Sequence, residues 1–361
     1  MTYKVLLVAL PLLVSHLLFS QAEESNEKSD DGSGLIVLPA FFSSPETSVG
    51  LGAGGMYYFR TDQDTTTKVS NIQAIFIYTF RNQLLTELPF TFFFNQNKYW
   101  LTGSINYYIY PFRYYGQGNN IDFEVFDNYD ARYLRTDLNI YRRIAPDLYI
   151  GPKFLATRYY SITSDGENGL LTPEVTGFAP GMISGLGVGM ILDRRNNLFS
   201  PDGGYYIEFS LFKYGKFVGS DYEFSNLWFD ARKYVEVGEK KELGFQLVHQ
   251  SVTGSGIPFY NLASLGGSTM MRGYFSGAYR DQHYTAMQGE FRVHFLKYFV
   301  GSAFAGIGTI NSRLGSFNNI LPSGGVGVRW EIDKQERIRI RLDYAIGKGT
   351  SGFYININEA F

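Results

Sequence analysis

The chain contains no cysteine, and beyond its first 22 residues no apolar run approaches the length of a membrane-spanning helix. A helix needs roughly 20 consecutive apolar residues to cross a bilayer. The first absence excludes a disulfide framework, and the second excludes a helical membrane protein, although 45% of the residues are hydrophobic. An excess of basic charge is also missing, with 32 Lys and Arg against 34 Asp and Glu. Nothing here supplies the field that holds nucleic acid, so no nucleic-acid partner is expected. Of four histidines, His16 lies in the leader, and His249, His283 and His294 show no paired metal spacing, so neither metal nor cofactor is expected. No G-x-S-x-G elbow occurs either. The run Gly50-Leu51-Gly52-Ala53-Gly54-Gly55 fits a dinucleotide-type glycine pattern, yet no helical pattern follows it to supply a phosphate-binding dipole; glycines in a curved barrel strand account for it better.

What is abundant is aromatic: 28 Tyr and 31 Phe, spread along the chain at period two. Apolar residues dispersed at every second position are how a transmembrane β-barrel meets lipid. The rival is a large soluble β-sandwich, which would leave fewer outward apolar residues without helices to cover them. Alternating segments of about 10 to 15 residues start near Leu35, Thr47, Val69, Leu84, Tyr99, Tyr129, Asp147, Ala179, Gly204, Tyr222, Lys241, Tyr284, Tyr298, Leu321, Arg337 and Gly352. The expectation is an all-β, antiparallel barrel of about 16 strands, an even number as closure favours.

The two ends read differently. Lys4, an apolar run from Val5 to Phe19 and Ser20-Gln21-Ala22 make residues 1–22 a secretory signal peptide, too short for a transmembrane anchor. Without Lys4 the balance is 31 minus 34, near −3. Residues 23–34 are an acidic, polar linker that cannot bury enough surface to fold. The barrel is assigned to 35–361; the leader implies export, and an exported barrel of this kind is expected in a bacterial outer membrane.

Register within the strands separates lumen from lipid. In Arg337 to Ile346, the apolar set Ile338, Ile340, Leu342, Tyr344 and Ile346 alternates with Arg337, Arg339, Arg341, Asp343 and Ala345. An arginine on the lipid face at mid-bilayer costs roughly 2 to 4 kcal/mol, so the charged set faces inward. By the same reasoning Glu290 and Arg292 face the lumen, opposite Met287, Gly289, Phe291, Val293 and Phe295; Asp230 points inward too. The loop Gly266-Gly267-Ser268-Thr269-Met270-Met271-Arg272-Gly273-Tyr274-Phe275 combines glycines, aromatics and one arginine, a composition suited to folding inward. An inward Arg272 could pair with Glu290, with Asp343 and Asp230 as further candidates.

Two linked stretches resemble the BamA/TamA, or bacterial surface antigen, family of outer-membrane assembly barrels. The loop tetrad is Met271-Arg272-Gly273-Tyr274, and the next strand carries Gly289-Glu290-Phe291-Arg292. In that family the loop arginine is held by acidic residues of the inner wall, which implies Glu290 here, in agreement with the register; Arg292, Asp343 and Asp230 are its expected lumen-wall neighbours by register alone. A third match is Asp193-Arg194-Arg195-Asn196-Asn197-Leu198-Phe199-Ser200-Pro201-Asp202-Gly203-Gly204, which resembles the family's Asp-x-Arg-x-x-x-Phe-x-Pro-x-x-Gly turn. It falls between the eighth and ninth strands, where Asp193 and Arg195 can cap a periplasmic turn shaped by Pro201 and Gly204. One departure stands out: Phe304-Ala305-Gly306-Ile307-Gly308 has glycine where the family's following strand has aspartate, which implies a looser lock. No POTRA domain fits between Ala22 and Leu35. The chain ends with Phe353, Ile355, Ile357 and Phe361 on one expected face, a C-terminal assembly signal of the kind a barrel machinery reads as a free edge.

The resemblance implies a non-enzymatic role in inserting or translocating proteins or lipids. Expected partners are outer-membrane lipids, client outer-membrane or secreted proteins, and a separate periplasmic partner in place of POTRA domains. The alternatives are a passive porin-like channel, which has no reason to carry the Arg-Gly-Tyr loop, and an outer-membrane hydrolase, which needs a Ser–His pair that sequence separation conceals. The first strand contains Pro39, which lacks a donor and suits an edge, so few bonds are expected between it and the last strand.

Overall fold

The computed structural model describes residues 33–44, 48–61, 67–334 and 337–361. The expected signal peptide and most of the acidic linker lie outside them. Strands β1 (Gly34–Ser44), β2 (Ser48–Phe59), β3 (Ser70–Thr79), β4 (Leu84–Phe94), β5 (Tyr99–Tyr114), β6 (Asp127–Ala145), β7 (Leu148–Ser164), β8 (Met182–Asp193) and β9 (Gly204–Tyr214) form one half. Then come β10 (Phe224–Gly238), β11 (Lys241–Thr253), β12 (Ala263–Leu265), β13 (Tyr279–Asp281), β14 (His283–Leu296), β15 (Phe299–Asn311), β16 (Leu321–Asp333), β17 (Ile338–Gly347) and β18 (Thr350–Ile357). Sixteen of these close into an antiparallel barrel in chain order, with β11 beside β14; β12 and β13 pair separately within the connection between those two. Each barrel strand begins within three residues of its expected start. The period-two pattern carries so far because register is fixed wherever one face must meet lipid.

Connections of very different length sort to opposite ends. One end has tight turns at 146–147, 239–240 and 297–298; the other carries segments 115–126, 165–181 and 254–282. In outer-membrane barrels, short turns are periplasmic and long loops extracellular. The long loops are held rather than free. Asp127, fully buried, accepts hydrogen bonds from the backbone N–H groups of Asn168, Leu170 and Leu171 at 2.6, 2.7 and 2.8 Å.

Alternation has the expected sign. On β17, Tyr344 and Ile346 are exposed on the outer wall, whereas Arg339, Arg341 and Asp343 are buried inside. Outward Met287, Leu247 and Val326 repeat the lipid-facing side. The main apolar core lies within the barrel: Met271, Tyr274, Phe275 and Tyr279 from the 254–282 segment pack on wall residues Val248, Val252, Tyr284, Ile310 and Leu321.

The ring closes unevenly. Between β1 and β18 there is one register pair among the described residues, Ser43↔Ile355, against eight between β17 and β18. Pro39 sits on the exposed side of β1.

Candidate functional site: the lumenal arginine lock

Loop 254–282 turns into the barrel between the β12–β13 pair, and Arg272 stands at its deepest contact. Two residues on either side of that guanidinium explain the geometry. Met271 adopts φ 53° and Gly273 φ 105°, so the chain reverses sharply around Arg272. A Cβ at position 273 would come within 2.6 Å of the Ile346 carbonyl carbon, so the close approach to β17 requires glycine as well. The Gly273 N–H donates to the Tyr354 hydroxyl at 2.9 Å. Tyr274 donates to the Pro322 carbonyl at 2.6 Å and accepts from the Lys348 N–H at 2.9 Å, its ring lying over Gly347. Further back, the Ser268 and Thr269 carbonyls accept from Arg341 and Gln288, both at 2.9 Å.

Arg272 is completely buried. Its Nη2 donates to Glu290 and its Nη1 to Asp343, each at 2.6 Å, and the guanidinium lies 3.4 Å from the centre of the Phe304 ring. Lengths this short are those of charge-assisted bonds, and arginine's planar fork suits two carboxylates at once. The residue carrying the family resemblance therefore meets Glu290, and Asp343 joins as an equal partner. At Gly306, where the family has aspartate, other groups surround the arginine. Met271 fills the room beside Gly306 and Gly308, the second carboxylate comes from β17, and Phe304 supplies a ring face.

Two expected loop partners sit elsewhere. Asp230 pairs with Arg232 at 2.6 Å and accepts from Gln246 at 3.1 Å; it reaches the loop only through Gln246, then Gln288, then the Thr269 carbonyl. Arg272 is held instead on the β14–β17 side of the lumen, by Glu290 and Asp343. Arg292 turns toward the short-turn end, donating to Glu290 at 3.0 Å and to the Pro201 and Phe361 carbonyls at 3.4 Å.

Inward alternation left several members unnoticed as a set. Arg329 donates to Asp343 at 2.5 Å, to Glu290 at 2.7 Å and to Glu359 at 3.0 Å. Arg339 donates to Glu359 at 3.0 Å and Glu331 at 3.2 Å. Arginines 272, 292, 329, 339 and 341 are all fully buried, facing carboxylates of Glu242, Glu290, Glu331, Asp343 and Glu359. Such burial is tolerable only because each charge has opposed neighbours, since an unpaired ion in the interior costs several kcal/mol or more. Burial alone would raise the Glu359 carboxyl; Arg292 and Arg329 outweigh that and hold it down at about 2.

The turn Asp193–Gly204 joins β8 to β9 and reaches the same network. Arg195 grips Asp193 through two bonds of 2.9 and 2.8 Å, and Asn197 accepts from the Phe199 and Ser200 N–H groups at 2.8 and 2.7 Å. Gly204 has φ 93°, and a Cβ there would lie 2.0 Å from the Arg194 carbonyl oxygen. Ser200 donates to Glu359 at 3.3 Å, and Asp202 pairs with Arg337 at 2.6 Å. At the chain's end the expected shared face breaks. Phe353 and Ile357 point outward and are exposed, but after Ile357 the chain leaves the wall at Asn358, with φ 66°, and Phe361 is buried in the lumen against Tyr234 and Arg292. Alternation ends with the strand, so it could not place a residue four positions beyond it.

A sixteen-stranded barrel holding an inward loop by a buried arginine defines the class. The Omp85 superfamily domain matches residues 65–361, and the chain belongs to that family, whose barrels reside in the bacterial outer membrane. Among solved structures, it is similar to BamA from Haemophilus ducreyi lacking POTRA domains 1–3, with a TM-score of 0.62 and 13% identity over 90% of this chain and 70% of that one. CdiB from Acinetobacter baumannii matches with TM-score 0.58 and 14% identity, covering 91% of this chain and 59% of that one. CdiB from Escherichia coli gives TM-score 0.57 and 9% identity, covering 92% and 68%. No curated protein matches the sequence.

Proposed function

We propose that this barrel inserts or translocates proteins or lipids at the outer membrane, opening at the β1–β18 seam. The carrying observation is the seam itself: among the described residues one register pair, Ser43↔Ile355, closes a wall whose neighbouring β17–β18 pair has eight. A strand edge with few bonds is a template on which a client strand can pair by backbone hydrogen bonding. Pro39 on β1 has no N–H to give to such a ladder, which keeps the cost of opening low. Outer-membrane lipids and client outer-membrane or secreted proteins are the partners this reading requires, with a separate periplasmic partner delivering the clients after export by a cleaved signal peptide.

The rival is a passive channel. It is disfavoured because the lumen holds a loop fastened by two carboxylates at 2.6 Å, an arrangement that obstructs free passage. The test is a photo-crosslinking residue at Ile355 in intact cells. The assembly reading expects capture of other barrel strands or of lipid at that position and none at outward Met287 on β14, four strands away round the wall. Equal, background-level capture at both positions would support the channel.

A further inference from the structure

On the outer wall, at the long-loop end, the Ser251 hydroxyl and the His283 Nδ1 lie 2.8 Å apart. They are register partners on β11 and β14, both partly exposed, and both on the face that carries Leu247 and Met287 toward the lipid. Neither belongs to the lumenal network. On its other side His283 has Asn311 of β15 as register partner, and that amide is fixed by bonds to Thr309 and the Ser316 carbonyl at 2.7 and 2.8 Å. A primary hydroxyl within hydrogen-bond reach of an imidazole has the nucleophile–base spacing that acyl transfer uses. One row closer to the middle of the wall, His249 and Thr285 form a similar 2.8 Å contact, but there the hydroxyl is secondary and more hindered.

Position selects the substrate. Both strands end here, with β11 running to Thr253 and β14 starting at His283, so the pair stands where the apolar band of the wall gives way to polar loops. Ester carbonyls of membrane lipids lie at that same interface, between acyl chains and headgroups.

We propose that Ser251 and His283 form a second, membrane-facing site that hydrolyses acyl esters of outer-leaflet lipids, independent of the assembly reading. Ser251 Oγ bonds to the ester carbonyl carbon while His283 takes its proton. The ester C–O bond then breaks, and the leaving alcohol carries that proton away. Water attacks the acyl-serine, gives a proton to His283, and the carbon–Oγ bond breaks as Ser251 recovers it. The balance is ester plus water to acid plus alcohol.

The test uses the full folded chain in detergent micelles and in vesicles. A fluorophosphonate probe should label wild type but neither Ser251→Ala nor His283→Gln. Fatty-acid release should fall about 100-fold or more in both variants, as loss of a base or nucleophile implies. Thr285→Val should retain release. All variants should keep the heat-modifiable electrophoretic mobility of a closed barrel, so that lost activity is not lost folding. Vesicles of phosphatidylethanolamine and vesicles bearing lipopolysaccharide separate the two sources of ester; release from either supports the site. Folded wild type that takes no label and releases no more fatty acid than Ser251→Ala on both vesicles would overturn it, leaving a polar cross-strand pair at the membrane interface.

Discussion

Arg329 Nε donates to the Glu359 carboxylate at 3.0 Å, while the other two nitrogens of the same guanidinium bind Asp343 and Glu290. Those two carboxylates are the ones that hold Arg272 of the loop. A single side chain thus joins the loop that descends from the long-loop end to the 358–361 segment that closes toward the short-turn end.

Residues that never touch should therefore be coupled. Arg272→Ala and Glu359→Gln each remove a bond to a shared network, and their effects on barrel stability should fail to add. A double-mutant cycle in denaturant should return an interaction above about 0.5 kcal/mol, the scatter of independent sites. The same cycle repeated on an Arg329→Gln background should shrink, leaving only what Arg292 carries between Glu290 and Glu359 at 3.0 and 3.5 Å. Additivity on the wild-type background would mean that Arg329 transmits nothing.

Loss of Arg272 alone is expected to be severe. Arg272→Ala strips two fully buried carboxylates of a counterion, and breaking a buried pair by removing one partner costs about 3–5 kcal/mol. Freed of the lock, the loop should also leave the lumen, so planar-bilayer conductance should rise. Charge exchange, Arg272→Glu with Glu290→Arg, should rescue only partly, because Asp343 then faces a glutamate in place of an arginine. A fully additive outcome for the exchange would show that the pair is not an energetic unit.

Much of this was legible in the amino-acid order, and the gaps have physical causes. The strand starts and the inward set Glu290, Arg292, Arg339, Arg341 and Asp343 follow from period-two alternation, since one misplaced charge in lipid is costly. Which inward charges meet is a different matter, because it depends on barrel order and on how far a loop descends. Asp230 and Asp343 are equally inward by counting, yet only Asp343 reaches Arg272. Glu359 and Phe361 lie beyond the last strand, where no periodicity operates. Ser251 and His283, 32 positions apart, became a pair only through the β11–β14 register that skips the whole 254–282 segment.

Stapling the seam tests the opening directly. The chain has no native cysteine, so Ser43→Cys with Ile355→Cys introduces a single disulfide between the register partners that join β1 to β18. Oxidised, this variant should keep its fold and thermal stability but lose assembly activity in cells, and reductant should restore it. Full activity of the oxidised form, with the disulfide verified by mass spectrometry, would rule out opening at this seam.

The 358–361 segment should make the barrel resistant to mild acid. Glu359 is held at about 2 when folded, below the ordinary glutamate value of 4.5, because Arg292 and Arg329 outweigh the cost of burial. A carboxyl depressed on folding contributes stability that is fully present above its unfolded value and is lost as pH falls through the folded one. Melting temperature should accordingly stay level from neutral pH to about 5, then fall between about 4.5 and 2. Glu359→Gln cannot titrate, so it should be less stable at neutral pH and show a shallower acid decline. If the variant and wild type decline in parallel, Glu359 is not ion-paired in the folded barrel, and the link from Arg329 to the end of the chain is lost with it.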